Sequence, residues 1–115
     1  MPCLIVKTNA VLTKEEKDKA TTELTKIVSK TTGKPAAYIM IIIEDGLSMK
    51  FGGTDEKCIF MEFRSIGCID RSSNKKHSKA FCDYFSTLGF SEDRIFIAFE
   101  NKSAADWGFA GDTFA

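Results

Sequence analysis

Pro2, directly behind Met1 and followed by the apolar run Cys3, Leu4, Ile5 and Val6, is the residue of this chain best placed to do chemistry. If Met1 is removed, Pro2 bears a free secondary amine on a rigid ring, and a strand beginning there holds that nitrogen in one place. An α-amino group titrates at about 7.7 to 8.0 in short peptides, and burial or a nearby cation lowers that value. The nitrogen would then be a positioned general base near neutral pH. The plainer alternative is a proline that merely marks a strand's first residue, a place where sheets tolerate it.

Other residue types with chemical potential offer less. Cys3, Cys58, Cys68 and Cys82 form neither a Cys-x-x-Cys pair nor a Cys/His metal spacing, so they read as reduced thiols, some of them buried, with no metal and no disulfide scaffold. The single histidine, His77, falls at helical spacing with Phe81, Tyr84 and Leu88, on a face expected to be remote from Pro2. Gly52-Gly53 is followed by Thr54-Asp55-Glu56, whose acids would repel an anion and where no helix begins, so it reads as a turn and not a phosphate site.

The elements that must position Pro2 come in a repeated order. Residues 3–7 read as a strand. Thr13 starts a helix with Glu16 three residues on, the spacing of a capping box, and Ala20, Leu24, Ile27 and Val28 line one face. Gly33 is placed to end that helix in a left-handed conformation, Pro35 forbids its continuation, and residues 38–43 form a second strand. The order then recurs at an offset of about 55 residues. Residues 58–63 are strand-like, His77, Phe81, Tyr84, Phe85 and Leu88 line a helix, Gly89 ends it, and residues 95–99 are strand-like again.

The pattern is a single α+β domain over residues 1–115 with an internal βαβ duplication, about 1–46 and 57–102. Two right-handed βαβ units give a four-stranded sheet with both helices on one face, an α/β sandwich. The strands at 38–43 and 95–99 are apolar at nearly every position, as if buried on both sides. The alternating segment 47–51 and the tail 107–114 are too short to cover the second face. Self-association into a closed ring is the expected answer.

Composition narrows the partners. The chain has 43% hydrophobic residues, ten Phe, and sixteen basic residues balanced by sixteen acidic ones. No basic field exists to attract nucleic acid, and no polybasic run to hold a membrane. With no signal-peptide pattern and no apolar stretch long enough to span a bilayer, a cytoplasmic location is expected.

Taken in order, Met1-Pro2, Lys7-Thr8-Asn9, Thr32-Gly33-Lys34-Pro35 with Tyr38, Phe51-Gly52-Gly53, Ser65-Ile66-Gly67, Asp93-Arg94-Ile95 and the ending Thr113-Phe114-Ala115 resemble the tautomerase family of macrophage migration inhibitory factor and D-dopachrome tautomerase. The likeness runs the whole length. It implies the tautomerase fold, a homotrimer, no cofactor, and keto-enol tautomerisation of aromatic 2-oxo acids such as phenylpyruvate, or of dopachrome-like compounds. In that reading Pro2 is the catalytic base, with Schiff-base formation a lesser path. Lys34 binds the substrate carboxylate, although at a helix C-terminus it would also suit the dipole. The backbone N–H of Ile66 helps bind the carboxylate or carbonyl, and Ser65 lines the site. Tyr38, Phe96, Trp107 and Phe114 wall the aromatic pocket. Phe109 matches another wall position but is equally suited to the core. The resemblance also carries an alternative class, a cytokine-like ligand released without a signal peptide and acting on a CD74-type receptor.

Three departures from the mammalian pattern bear on chemistry. Phe96 and Ala98 stand where a tyrosine and an asparagine occur, the latter contributed across a subunit boundary, so two polar groups near the substrate ring are lost. Cys58-Ile59-Phe60-Met61 replaces a Cys-x-x-Cys, and methionine cannot form that disulfide, which disfavours dithiol chemistry.

Overall fold

The computed structural model describes residues 1–115 and contains strands β1 (Cys3–Thr8), β2 (Met40–Glu44), β3 (Ile59–Ser65) and β4 (Ile95–Asn101), with helices α1 (Lys14–Thr32) and α2 (Arg71–Ser86) between the members of each pair. A short hairpin, β5 (Gly108–Phe109) and β6 (Asp112–Thr113), follows near the C-terminus. The sheet order is β2-β1-β3-β4. β1 with β2 and β3 with β4 are parallel, as right-handed βαβ crossovers require, and the two repeats join along an antiparallel β1–β3 seam. Leu4 lies opposite Ile41 on one side and Phe63 on the other.

Strand alternation decides what each face carries. Leu4, Val6 and Thr8 on β1 and Ile59, Met61, Phe63 and Ser65 on β3 are buried beneath the helices. Ala20, Leu24 and Val28 of α1 and Phe81, Cys82 and Phe85 of α2 close that layer. Burying a side chain as large as Phe63 or Phe81 contributes about 1.5–3 kcal/mol. His77 is fully buried here, edge-on to Phe63 and stacked on Phe81, so it is a core residue of the helix layer.

The helix ends follow the expected chemistry. The Thr13 hydroxyl accepts from the Glu16 N–H at 3.0 Å, and the Thr13 N–H donates to Glu16 Oε1 at 2.9 Å. Thr13→Ala removes the first bond and leaves the second, and should lower unfolding stability by about 1 kcal/mol. Denaturant melts at one protein concentration would show a lower midpoint with an unchanged slope. At the other end Gly33 adopts φ 71° and its N–H bonds to the Ser29 carbonyl at 2.8 Å.

Four expectations need correction. The strand read over 38–43 starts at Met40, because Tyr38 N–H bonds to the Pro35 carbonyl at 3.0 Å and Ile39 N–H to that of Ala36 at 3.1 Å. This single 3₁₀ turn lifts Tyr38 out of the ladder. Residues 47–51 alternate in exposure but find no strand partner. Only a bridge between Phe51 and Thr54 forms, around the Gly52-Gly53 turn. α2 stops at Ser86, and Gly89, at φ 83°, belongs to the turn beyond it.

The fourth correction concerns the open sheet face, which is not uniformly apolar. Met40 and Phe96 on the edge strands are 59% and 62% exposed. Between them runs an alternating charge chain: Lys7 to Glu62 at 3.7 Å, Glu62 to Arg64 at 2.6 Å, Arg64 to Glu100 at 3.0 Å, and Glu100 to Lys102 at 2.8 Å. Opposite charges at neighbouring cross-strand positions neutralise one another. The strand hydropathy hid this, because β1 and β3 place their charged residues on alternate positions.

Candidate active site

The start of the chain is fixed by the sheet. Pro2 is buried, and its carbonyl accepts from the Met40 N–H at 3.1 Å, which extends the β1–β2 ladder one residue beyond the strand proper. With Met1 in place the Pro2 nitrogen is an amide, and the amine at this position belongs to Met1. That amine is held below the ordinary α-amino value, first by burial and then by the Lys34 charge, while the Cys68 thiolate would pull the other way.

Beside it opens a cavity of about 260 Å³, near the low end of small-molecule sites, about 300 Å³. Met1, Pro2 and Cys3 form one wall, the 3₁₀ turn with Ala37 and Tyr38 a second, and Trp107, Phe109 and Phe114 a third. Tyr38 meets Phe109 and Phe114 edge-on, with ring centroids at 5.6 and 6.3 Å, and Phe109 stacks on Phe114 at 5.3 Å. The Phe114 N–H bonds to the Trp107 carbonyl at 3.2 Å, so the C-terminal hairpin holds the aromatic wall together. Such a lining suits a flat apolar ring.

Lys34 follows the left-handed Gly33. Its N–H donates to Thr32 Oγ1 at 3.2 Å and its carbonyl accepts from Ser29 Oγ at 2.7 Å, which fixes the turn that displays the side chain. The Lys34 ammonium takes part in none of the ion pairs of the chain. A half-buried cation without a carboxylate partner, close enough to lower the terminal amine's pKa, is suited to hold an external carboxylate.

The remaining expected site residues divide. Trp107, Tyr38 and Phe114 line the cavity with Pro2, and so does Phe109, which places it outside the core. Ser65 does not. It ends β3 on the helix side, fully buried, with its hydroxyl unpartnered. Ile66 is half-buried and outside the core cluster, and it does not line the cavity. Phe96 lies at the far end of the sheet, packed on Phe51 at 4.4 Å, and Ala98 is exposed on edge strand β4. Cys3 and Arg64 are cross-strand neighbours, and Arg64 pairs with Glu100. Phe96 is thus four residues farther along β4, about 13 Å, and two strands over. Neither residue reaches the cavity of its own chain.

Sequence reasoning missed Cys3 and Met40 as cavity walls. Cys3 was legible as the residue after Pro2; Met40 depended on the unforeseen turn at Tyr38. Burial pushes the Cys3 thiol up, and Arg64 partly offsets the shift. His77, remote from the cavity, donates from Nε2 to the Cys68 carbonyl at 2.8 Å.

The family profile described as Macrophage migration inhibitory factor (MIF) matches residues 1–115. The chain is 38% identical over 116 residues to the macrophage migration inhibitory factor of Xenopus tropicalis and 37% identical to that of Mus musculus, with both chains covered completely in each case. The crystal structure of a homologue from Prochlorococcus marinus superposes with a TM-score of 0.92 at 30% identity, covering 98% of this chain and 99% of the other. No helix is long and apolar enough to cross a membrane.

Proposed function

The chain belongs to the macrophage migration inhibitory factor family, and on that premise we propose that it is a keto-enol tautomerase of aromatic 2-oxo acids such as phenylpyruvate, with Pro2 as the general base once Met1 is removed. The observation that carries the reading is a buried Pro2 at the wall of an aromatic-lined cavity; Lys34, a cation without a carboxylate partner, does not itself line that cavity but acts on the Met1 amine that does.

Removal of Met1 turns the Pro2 amide into a secondary amine, next to the place where burial and Lys34 lower the pKa of the Met1 amine and so favour the uncharged form. The substrate carboxylate pairs with Lys34 and its ring enters between Tyr38 and the C-terminal hairpin. The neutral amine takes a proton from the carbon next to the carbonyl, leaving the electron pair to form the enolate, and the resulting ammonium returns that proton to the enolate oxygen. The reverse sequence gives ketonisation. One group is both base and acid.

Phe96 and Ala98 complete the site only if another copy of the chain supplies them. They lie on edge strand β4, whereas Pro2 abuts β2 at the opposite edge. A closed homotrimer joins one edge to the other and covers the exposed Met40 and Phe96. Neither residue offers a hydrogen bond to a ring hydroxyl, which would be desolvated at a cost of about 1–3 kcal/mol. The kcat/KM for phenylpyruvate should therefore exceed that for the 4-hydroxy analogue by roughly fivefold to a hundredfold. Steady-state kinetics on both compounds test this, and a preference for the hydroxylated substrate contradicts it.

The founding experiment is the rate of phenylpyruvate ketonisation by Met1-free protein, with size measured in parallel. Folded, trimeric and inactive protein would refute the proposal.

A further inference from the structure

Cys68 holds a backbone conformation that favours glycine, with φ 59°, so its Cβ is carried at a conformational cost. The residue is fastened on two sides. Its carbonyl accepts from His77 Nε2 at 2.8 Å, which puts the ring hydrogen on Nε2 and leaves the buried Nδ1 unpartnered. Its thiol donates to the Thr32 carbonyl at 3.4 Å.

Those partners belong to different parts of the site. Thr32 is the last residue of α1, and its hydroxyl accepts the Lys34 N–H at 3.2 Å. On the other side, Gly67 N–H donates to Asn101 Oδ1 at 3.0 Å, which anchors the turn after Ile66 to the end of β4. The Ile66 turn is thereby bound to the core through His77 and to the sheet through Asn101. The thiol joins it to the turn that displays Lys34.

We propose that Cys68 is a positioning residue for carboxylate recognition, its thiol clasping the Thr32 carbonyl so that the Lys34 side chain and the Ile66 N–H converge on one substrate. The proposal rests on the reading of Lys34 and Ile66 as the groups that bind the 2-oxo acid. Because a thiol is a weak donor, the clasp sets geometry and not bulk stability. Glycine at this position relieves the backbone cost while deleting the clasp, so stability and binding should move apart.

The test compares wild-type protein, Cys68→Gly and Cys68→Ser, all Met1-free. The probe is benzoylformate, an aromatic 2-oxo acid with no hydrogen on the carbon beside its carbonyl, titrated for affinity beside steady-state kinetics on phenylpyruvate. Cys68→Gly should melt at or above the wild-type temperature, yet bind the probe and show a KM weakened by about threefold to tenfold, with a smaller change in kcat. Cys68→Ser, whose hydroxyl can donate to the same carbonyl, should return to within about twofold of wild type. Wild-type affinity in Cys68→Gly would overturn the clasp while leaving the tautomerase reading intact. Wild-type protein that neither binds benzoylformate nor turns over phenylpyruvate would overturn the parent reading and the clasp with it.

Discussion

Pro2→Gly, in protein whose Met1 has been removed, should lower phenylpyruvate ketonisation by about a hundredfold or more while leaving the trimer and its melting temperature close to wild type. Glycine retains a terminal amine, so the loss measures positioning. The pyrrolidine ring fixes φ and packs against the end of the sheet, where the Pro2 carbonyl accepts the Met40 N–H. A glycine terminus keeps that carbonyl but lets its nitrogen rotate away from the substrate carbon. A general base out of line forfeits most of its contribution. The same variant separates two roles of the family. A cytokine-like ligand, including one acting on a CD74-type receptor, would use the outer surface, and receptor binding should survive the substitution.

Lys34→Ala should act on affinity and on pH dependence together. Losing a charge-assisted hydrogen bond to the substrate carboxylate costs about 1.5–3 kcal/mol, or roughly a tenfold to hundredfold fall in kcat/KM, carried mainly by KM. The pH effect has a definite sign. Burial and the Lys34 charge both hold the Met1 amine below its ordinary value; the same cation acts in the same direction on a Pro2 amine, whose neutral, active form then persists to lower pH. Removing the lysine raises the amine's pKa, and the acidic limb of the kcat/KM profile should move to higher pH. Lys34→Arg retains the charge and should leave that limb near its wild-type place. A limb that shifts downward in Lys34→Ala would contradict the electrostatic role.

The fold was legible because its signals are local. Thr13 with Glu16 marks a helix start and Gly33 its end, and the strands repeat at a constant offset around helices of matching periodicity. Pro2 and Trp107, expected in one site, line one cavity, while Lys34 was singled out by the family resemblance. What escaped depended on tertiary geometry. The 3₁₀ turn that moves Tyr38 out of β2 is closed by backbone bonds that residue types do not announce. The burial of Ser65 away from the cavity turns on strand parity at the last residue of β3, where a shift of one position exchanges the two faces. The charge chain from Lys7 to Lys102 assembles across three strands, beyond the reach of any one segment's pattern. Cys68 carries no motif. Its place became visible only when its φ and its bond to Thr32 were known.

The most direct test of the account compares two forms of one protein: the chain beginning at Pro2, verified by mass, and a form with one alanine retained ahead of Pro2. The retained residue converts the Pro2 nitrogen to an amide and leaves Lys34, the aromatic walls and the sheet unchanged. The account predicts rapid phenylpyruvate ketonisation by the first form and a rate lower by about a hundredfold or more in the second. Equal rates from the two would show that the Pro2 amine is not the base.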